Sequence, residues 1–150
     1  MKHRVFAWLM LVDRINTRDM LRRRKFNIGT VFTCLLCDSG CDETRNHLFF
    51  ECAFGTSCWD RLGIHWDINL PVEGMSERAR RDSQGALFTE AVILGAWNIW
   101  KIRNRKLFDH VQPEVPTGRR LLARDLDILG CRVKEKHKDP LKQIYCRISL

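Results

Sequence analysis

The sequence predicts a mostly α-helical protein: a small helical domain with room for one short strand or hairpin, followed by a long tryptophan-bearing helix and a charged C-terminal helix. Three observations carry that prediction. Apolar residues recur at helical spacing over residues 5–15 and again over residues 87–108. Val31, Phe32 and Thr33 favour β-structure but make only a short run. An apolar content of 45% supplies enough material for a core, and 150 residues suit one domain or a small domain with an appendage.

The elements follow in chain order. Val5, Trp8, Leu9, Val12 and Ile15 fall at i, i+3, i+4, i+7 and i+10, the stripe of a buried helix. Phe6, Met10 and Leu11 make that helix apolar nearly all round, which places it in the centre of the core. Asn16 or Thr17 caps a second short helix over residues 18–25, with Met20 and Leu21 inward, and Gly29 ends the unit. The strand at 31–33 leads into a turn between Cys34 and Cys37. Residues 42–50 read as a helix. Another starts at Cys52, is anchored by Trp59 and Leu62, and ends at Gly63. Leu70-Pro71-Val72-Glu73-Gly74 is turn chemistry, and residues 77–82 are charged at five of six positions. Residues 63–85 therefore read as a linker between a domain at 1–62 and a helical extension at 86–150. In that extension a helix over 87–108 carries the stripe Ile93, Trp97, Trp100, Asn104 and Leu107. Pro113 and Pro116 interrupt it, and 119–138 is the last, highly charged helical stretch.

Chemistry concentrates in Cys34-x2-Cys37, His47 and Cys52, three thiols and one imidazole within nineteen residues. Two close-set pairs of this kind are the donor set of a tetrahedral structural Zn²⁺ with no open position. Cys34 and Cys37 bite from one tight turn, whose backbone amides can donate to the first thiolate. His47 and Cys52, at i and i+5, come from the end of a short helix and the residue beyond it. Cys41 is the rival to Cys37, through a Cys37-x3-Cys41 register swap, and His65 is within chain reach. Cys58 falls on an amphipathic stretch with Trp59 and Leu62 and reads as a helix face. Cys131 and Cys146 are isolated and read as ordinary thiols. A run of unrelated buried cysteines is the plain alternative for the whole set, and the paired spacing argues against it.

Seven cysteines is an odd number, and no secretory signal frames them as disulfides. Residues 5–12 are apolar and follow Lys2, His3 and Arg4, yet Asp13 and Arg14 follow directly without a small-residue cleavage site. Eight apolar residues also fall far short of the roughly 20 that a membrane helix needs. The expected location is intracellular, with thiolates kept free for metal, and no membrane partner.

The net charge of +8 suggests an anionic partner, and its distribution sharpens this. Residues 1–30 carry eight Lys/Arg against two acids, residues 31–100 five against ten, and residues 101–150 thirteen against six. The Cys34-to-Cys52 segment is acidic, so phosphate contacts should come from its flanks. Arg14, Arg18, Arg22 and Lys25 repeat at i, i+4, i+8 and i+11, and Arg23 and Arg24 thicken the stripe, making these six the candidate RNA- or DNA-binding residues. A solvated helix face, or pairing with the acidic metal loop, explains the same run equally well. Arg22-Arg-Arg-Lys25 also fits a weak nuclear-import patch. Trp97 and Trp100 suit base stacking or docking of a protein partner with Phe108, although aromatics at i, i+3 on a helix are more often core.

The stretch from His3 through Arg24, then Cys34-x2-Cys37, Glu43-Thr44, His47-Leu-Phe-Phe-Glu-Cys52 and Trp59, resembles the zinc-binding domain of plant LINE-type, non-LTR retrotransposon reverse transcriptases. The resemblance covers about residues 3–62. Trp97-Asn-Ile-Trp-Lys-Ile-Arg-Asn-Arg-Lys-Leu-Phe108 is similar to a segment often found between that domain and a downstream ribonuclease H-like domain. The resemblance implies Cys34, Cys37, His47 and Cys52 as ligands of one structural Zn²⁺, and a zinc-stapled accessory module beside a polymerase that handles nucleic acid. The family's domain begins upstream of the helix that here starts near Met1, so the resemblance also implies a truncated copy, with a relic gene product as one alternative. A protein-interaction module stapled by zinc is another. There is no room for a polymerase and no acidic constellation for a two-metal ribonuclease, so no enzymatic activity is expected.

Overall fold

Helix α1 (Lys2–Leu11) buries Phe6, Ala7 and Met10 and leaves Val5, Trp8 and Val12 in solvent, with Trp8 59% exposed. The expected stripe is thus mostly the outer face, and α1 lies at the edge of the core. A helix that is apolar nearly all round gives periodicity no face to choose; its packing partner chooses instead. That partner is helix α5 (Phe88–Asp109), whose Trp97 and Trp100 rings meet Phe6 at centroid distances of 5.2 and 5.8 Å. The computed structural model describes residues 2–83 and 85–149.

Helix α2 (Arg18–Arg23) is capped as expected by Thr17, whose Oγ1 accepts from the Met20 amide at 3.2 Å, and Met20 is buried beneath it. No strand forms at 31–33 among the described residues. A single antiparallel bridge joins Thr33 to Asp42 instead, flanked by bonds from Glu43 N to Phe32 O (2.7 Å) and from Cys34 N to Cys41 O (2.8 Å). Residues 42–50 are not one helix. They pass through the bridge into a π-helical turn, His47–Glu51, before helix α3 (Ala53–Leu62), which ends on a left-handed Gly63. Inside 63–85 lies helix α4 (Val72–Ser83), with Met75 and Ala79 buried and the charged run turned outward.

Helix α5 packs on α1, on α3 and on helix α6 (Val115–Gly130). So much of its circumference is covered that Ile93, Trp97, Trp100, Asn104 and Leu107 are only half-buried. The deeply buried rows are Leu94, Asn98 and Ile102 beside Ala96, Ile99 and Arg103. At Gly95, α5 meets α3: an added Cβ would run into the Trp59 ring and come within 2.8 Å of Leu62 Cδ1. The charged stretch at 119–138 is not a single helix. Pro116 sits in the first turn of α6, where its missing N–H costs nothing, and so starts that helix rather than interrupting it. After Gly130 the chain turns and begins helix α7 (Lys138–Ser149), which packs on α6 and α3.

One contiguous apolar cluster runs from Phe6 through Phe49, Trp59 and Ile99 to Leu126 and Ile148. Burying a side chain of this size stabilises by about 1.5–3 kcal/mol, and here the contributions come from both ends of the chain. Among the described residues, no helix is long and apolar enough to cross a membrane.

Candidate metal centre

Two local elements deliver the four donors, a pair from each. The bridge at Thr33 and Asp42 holds Cys34 at the entrance of a tight turn, within which the Leu36 amide donates to Cys34 Sγ at 3.4 Å. Cys37 follows, with Ser39 Oγ 3.1 Å from its sulfur. Thr44 Oγ1 accepts from the His47 amide at 3.0 Å and so starts the next turn. That turn is the decisive local feature. On an α-helix, residues i and i+5 point about 140° apart, which would separate His47 from Cys52. The π-helical turn closes through Cys52 N to His47 O at 2.7 Å and brings both side chains to one side. The indole of Trp59 donates to Phe49 O within this turn at 2.5 Å, tying α3 to it. An added Cβ on Gly55 would come within 2.8 Å of Leu48 O, so α3 can approach the turn this closely only with glycine there.

The ligand atoms of Cys34, Cys37, His47 and Cys52 all lie within 4.8 Å of one another, and three of the four residues are buried. Cys34 and Cys52 sulfurs are 3.9 Å apart, and Cys37 Sγ is 3.2 Å from His47 Nε2. With zinc–sulfur bonds of about 2.3 Å, the edge of a tetrahedral site is about 3.8 Å. Donor set and spacing therefore fit one structural zinc. Cys41 is exposed and contributes only its carbonyl, and Cys58 is buried on α3 facing the core. Burial raises the Cys58 thiol from its usual value to about 12, which leaves it inert near neutrality. Hydrogen bonding from Cys34 lowers the Cys52 thiol below its usual value, helped by the Gly55 and Phe54 amides at the start of α3, while the same interaction and burial raise Cys34. Zinc takes all three sulfurs as thiolates, so loading releases protons.

The metal loop is anchored by two residues whose roles sequence reasoning missed. Glu43 is 0% exposed and Arg103, sixty positions later, 2%. Glu43 Oε1 accepts from Arg103 Nη2 at 2.7 Å and Nε at 3.1 Å, and from the Arg18 amide at 3.1 Å; its Oε2 accepts from the Leu35 amide at 3.4 Å. One carboxylate thus joins the Cys34 turn, the start of α2 and the middle of α5. Arg45 adds a second anchor, donating to Met10 O and Leu11 O at the end of α1. A signal was present: an arginine among Ile99 and Ile102 on a core face demands a buried partner, because arginine is almost never fully buried unpaired.

The candidate nucleic-acid residues all lie on and around α2, with acids interleaved. Arg22 binds Asp19 (2.7 Å) and Asp42 (3.0 Å), and these partners raise its pKa above the usual value, Asp19 foremost. Arg23 binds Asp13 (2.9 Å) and Asp19 (2.8 Å). Arg18 donates to Thr33 O and Arg24 to Asn16 Oδ1. Arg14 and Lys25 make no ion pair among the described residues. Trp97 also packs on His3 at 4.8 Å, and the Arg103 guanidinium lies 4.8 Å from the Trp100 ring.

Residues 1–59 match a protein family described as zinc-binding in reverse transcriptase. The match covers a zinc-binding part and no catalytic domain. Searches of curated proteins and of solved structures found no match.

Proposed function

We propose that this chain is a non-catalytic zinc module of the kind that accompanies retrotransposon reverse transcriptases, of plant LINE type by its sequence resemblance, and that it binds RNA or DNA weakly through phosphates. The observation that carries the proposal is the closed Cys₃His set, four donors within 4.8 Å, inside the segment that matches the reverse-transcriptase family. A zinc ion saturated by four protein ligands has no position for an activated water, so its contribution is to hold the fold. Charge supports an anionic partner: the flanks are basic, and among the described residues Arg14 and Lys25 carry no ion pair while Arg22 and Arg23 keep exposed edges beside theirs. Such a partner implies an intracellular setting, nuclear where import occurs.

The test is sequential. Zinc stoichiometry of protein purified under reducing conditions should be one per chain, with helicity lost on chelation. Affinity for a short single strand should then fall steeply with salt, because phosphate contacts release counterions. Flat salt dependence would sink the phosphate reading.

A second reading, a zinc-stapled protein-interaction module, is favoured by one observation. Val5, Trp8 and Val12 form an exposed apolar row, and Phe108 is 71% exposed at the far end of α5. Salt-insensitive self-association or partner capture that is lost on Trp8→Ala would favour it.

A further inference from the structure

A cavity of about 530 Å³ opens where the start of α1, the first half of α5 and the end of α6 meet the connection that precedes α7. It lies apart from the zinc ligands and from the α2 cations, and its lining has three chemically distinct parts. Its floor is apolar, made by Leu87, Leu94, Ile93 and Leu129. Its rim carries Arg4, Arg132, Lys134 and Lys136, all exposed, and none of the four takes part in an ion pair among the described residues. Its wall offers polar groups of both kinds. Among the described residues, His137 Nδ1 is buried without a hydrogen-bond partner, and Glu90 is half-buried without an ion pair. Asp125 is already occupied by Lys101 Nζ at 2.6 Å and Asn98 Nδ2 at 3.2 Å.

We propose that this cavity receives one unpaired nucleotide of a single-stranded RNA or DNA, the base on the apolar floor and the flanking phosphates on the Arg4, Arg132, Lys134 and Lys136 rim. The ligand must have an apolar body, a polar edge and a strong negative charge outside it. An acyl carboxylate would meet the floor and the rim but would cover Glu90 with hydrocarbon and give it no donor. A base presents exocyclic amines that Glu90 can accept and ring nitrogens within the chemistry of His137. The volume falls in the range of about 300–1,000 Å³ typical of small-ligand sites, and four rim cations are suited to more than one phosphate. This assignment rests on the nucleic-acid function proposed above and moves its centre from α2 to the far side of α5.

The experiment uses the full, zinc-loaded chain and fluorescence anisotropy of a labelled five-nucleotide single strand at low salt. Three comparisons decide it: the same strand with an abasic centre, the variant Lys134→Glu/Lys136→Glu, and the variant Arg14→Glu/Lys25→Glu. All four substituted positions are exposed, and zinc content and helicity report that folding is kept. The expected result is a loss of about ten-fold with the abasic strand, roughly what burying one base face against an apolar floor contributes, and a similar loss with Lys134→Glu/Lys136→Glu. Binding that depends on Arg14 and Lys25 alone overturns the cavity and leaves the wider function standing. Binding that needs Lys134 and Lys136 but ignores the abasic change also overturns it, the rim then being a phosphate surface without a base site. No binding of any strand by zinc-loaded protein overturns the cavity and the nucleic-acid function together.

Discussion

Arg103→Met tests how the metal loop is held. The substitution keeps most of the aliphatic stem and removes the guanidinium, so Glu43 Oε1 loses its 2.7 and 3.1 Å bonds and keeps the one from the Arg18 amide, while Oε2 keeps the one from the Leu35 amide. Removing one partner from a buried ion pair costs about 3–5 kcal/mol. Two surviving amide bonds, one at the N-terminus of α2, place the expected loss at the lower end, about 3 kcal/mol. That is a large share of a total stability of about 5–15 kcal/mol. Urea unfolding of zinc-saturated protein, followed by circular dichroism, should show the midpoint falling by roughly 1–2 M at unchanged slope. The double variant Glu43→Gln/Arg103→Met leaves no buried charge, so its loss should be smaller than the sum of the single losses by about 1 kcal/mol or more. An Arg103→Met loss below about 1 kcal/mol, or strict additivity in the cycle, would refute the account of Glu43 as the anchor.

Cys37→Ser should abolish stoichiometric zinc and unfold the metal loop, whereas Cys41→Ser, at an exposed position outside the cluster, should stay within about 0.5 kcal/mol of wild type; equal zinc loss in both would reassign the ligand. Gly95→Ala should destabilise by about 1–3 kcal/mol through collision with Trp59 and Leu62, despite the better helix propensity of alanine, and a gain in melting temperature would show that the crossing is looser than described. With zinc bound, Cys41, Cys131 and Cys146 should alkylate quickly at pH 8 while buried Cys58 stays protected; mass spectrometry of labelled peptides reads this directly. Burial raises the folded Cys58 thiol from its ordinary value of 9.0 to about 12, so its contribution to stability is complete below pH 9 and is lost as pH climbs toward 12. Cys58→Ala should accordingly flatten the alkaline limb of a stability–pH profile, and an unchanged limb would remove Cys58 as its source.

Local chemistry was legible in the sequence wherever one residue type determines one geometry. Thr17 caps α2, Gly63 ends α3, and two close pairs of donors announce a tetrahedral site. Legibility failed where geometry depends on a distant partner. The outer and inner faces of α1 are both apolar, so distant partners, Phe49, Trp97 and Trp100, are what tell Phe6 from Val5. Helix α4 hides in a charged run because its buried side consists of just Met75 and Ala79. The i, i+5 spacing of His47 and Cys52 held a clue to the π-turn, since an α-helix cannot aim both at one ion. Glu43 was visible beside Thr44, but nothing within sixty residues says that its carboxylate is met by Arg103.

The packing of Phe6 against Trp97 has a temporal side. The two are 91 positions apart (97 − 6). At about 5–20 residues per second, a ribosome needs roughly 5–18 s to travel between them. Through that interval α1 lacks its α5 partner, and Phe49 is the aromatic neighbour of Phe6 that is made first. Cys34, Cys37, His47 and Cys52 are made within the same interval, so the metal loop is complete before α5 is. A zinc ion loaded at that stage would restrain the metal loop before α5 packs on α1.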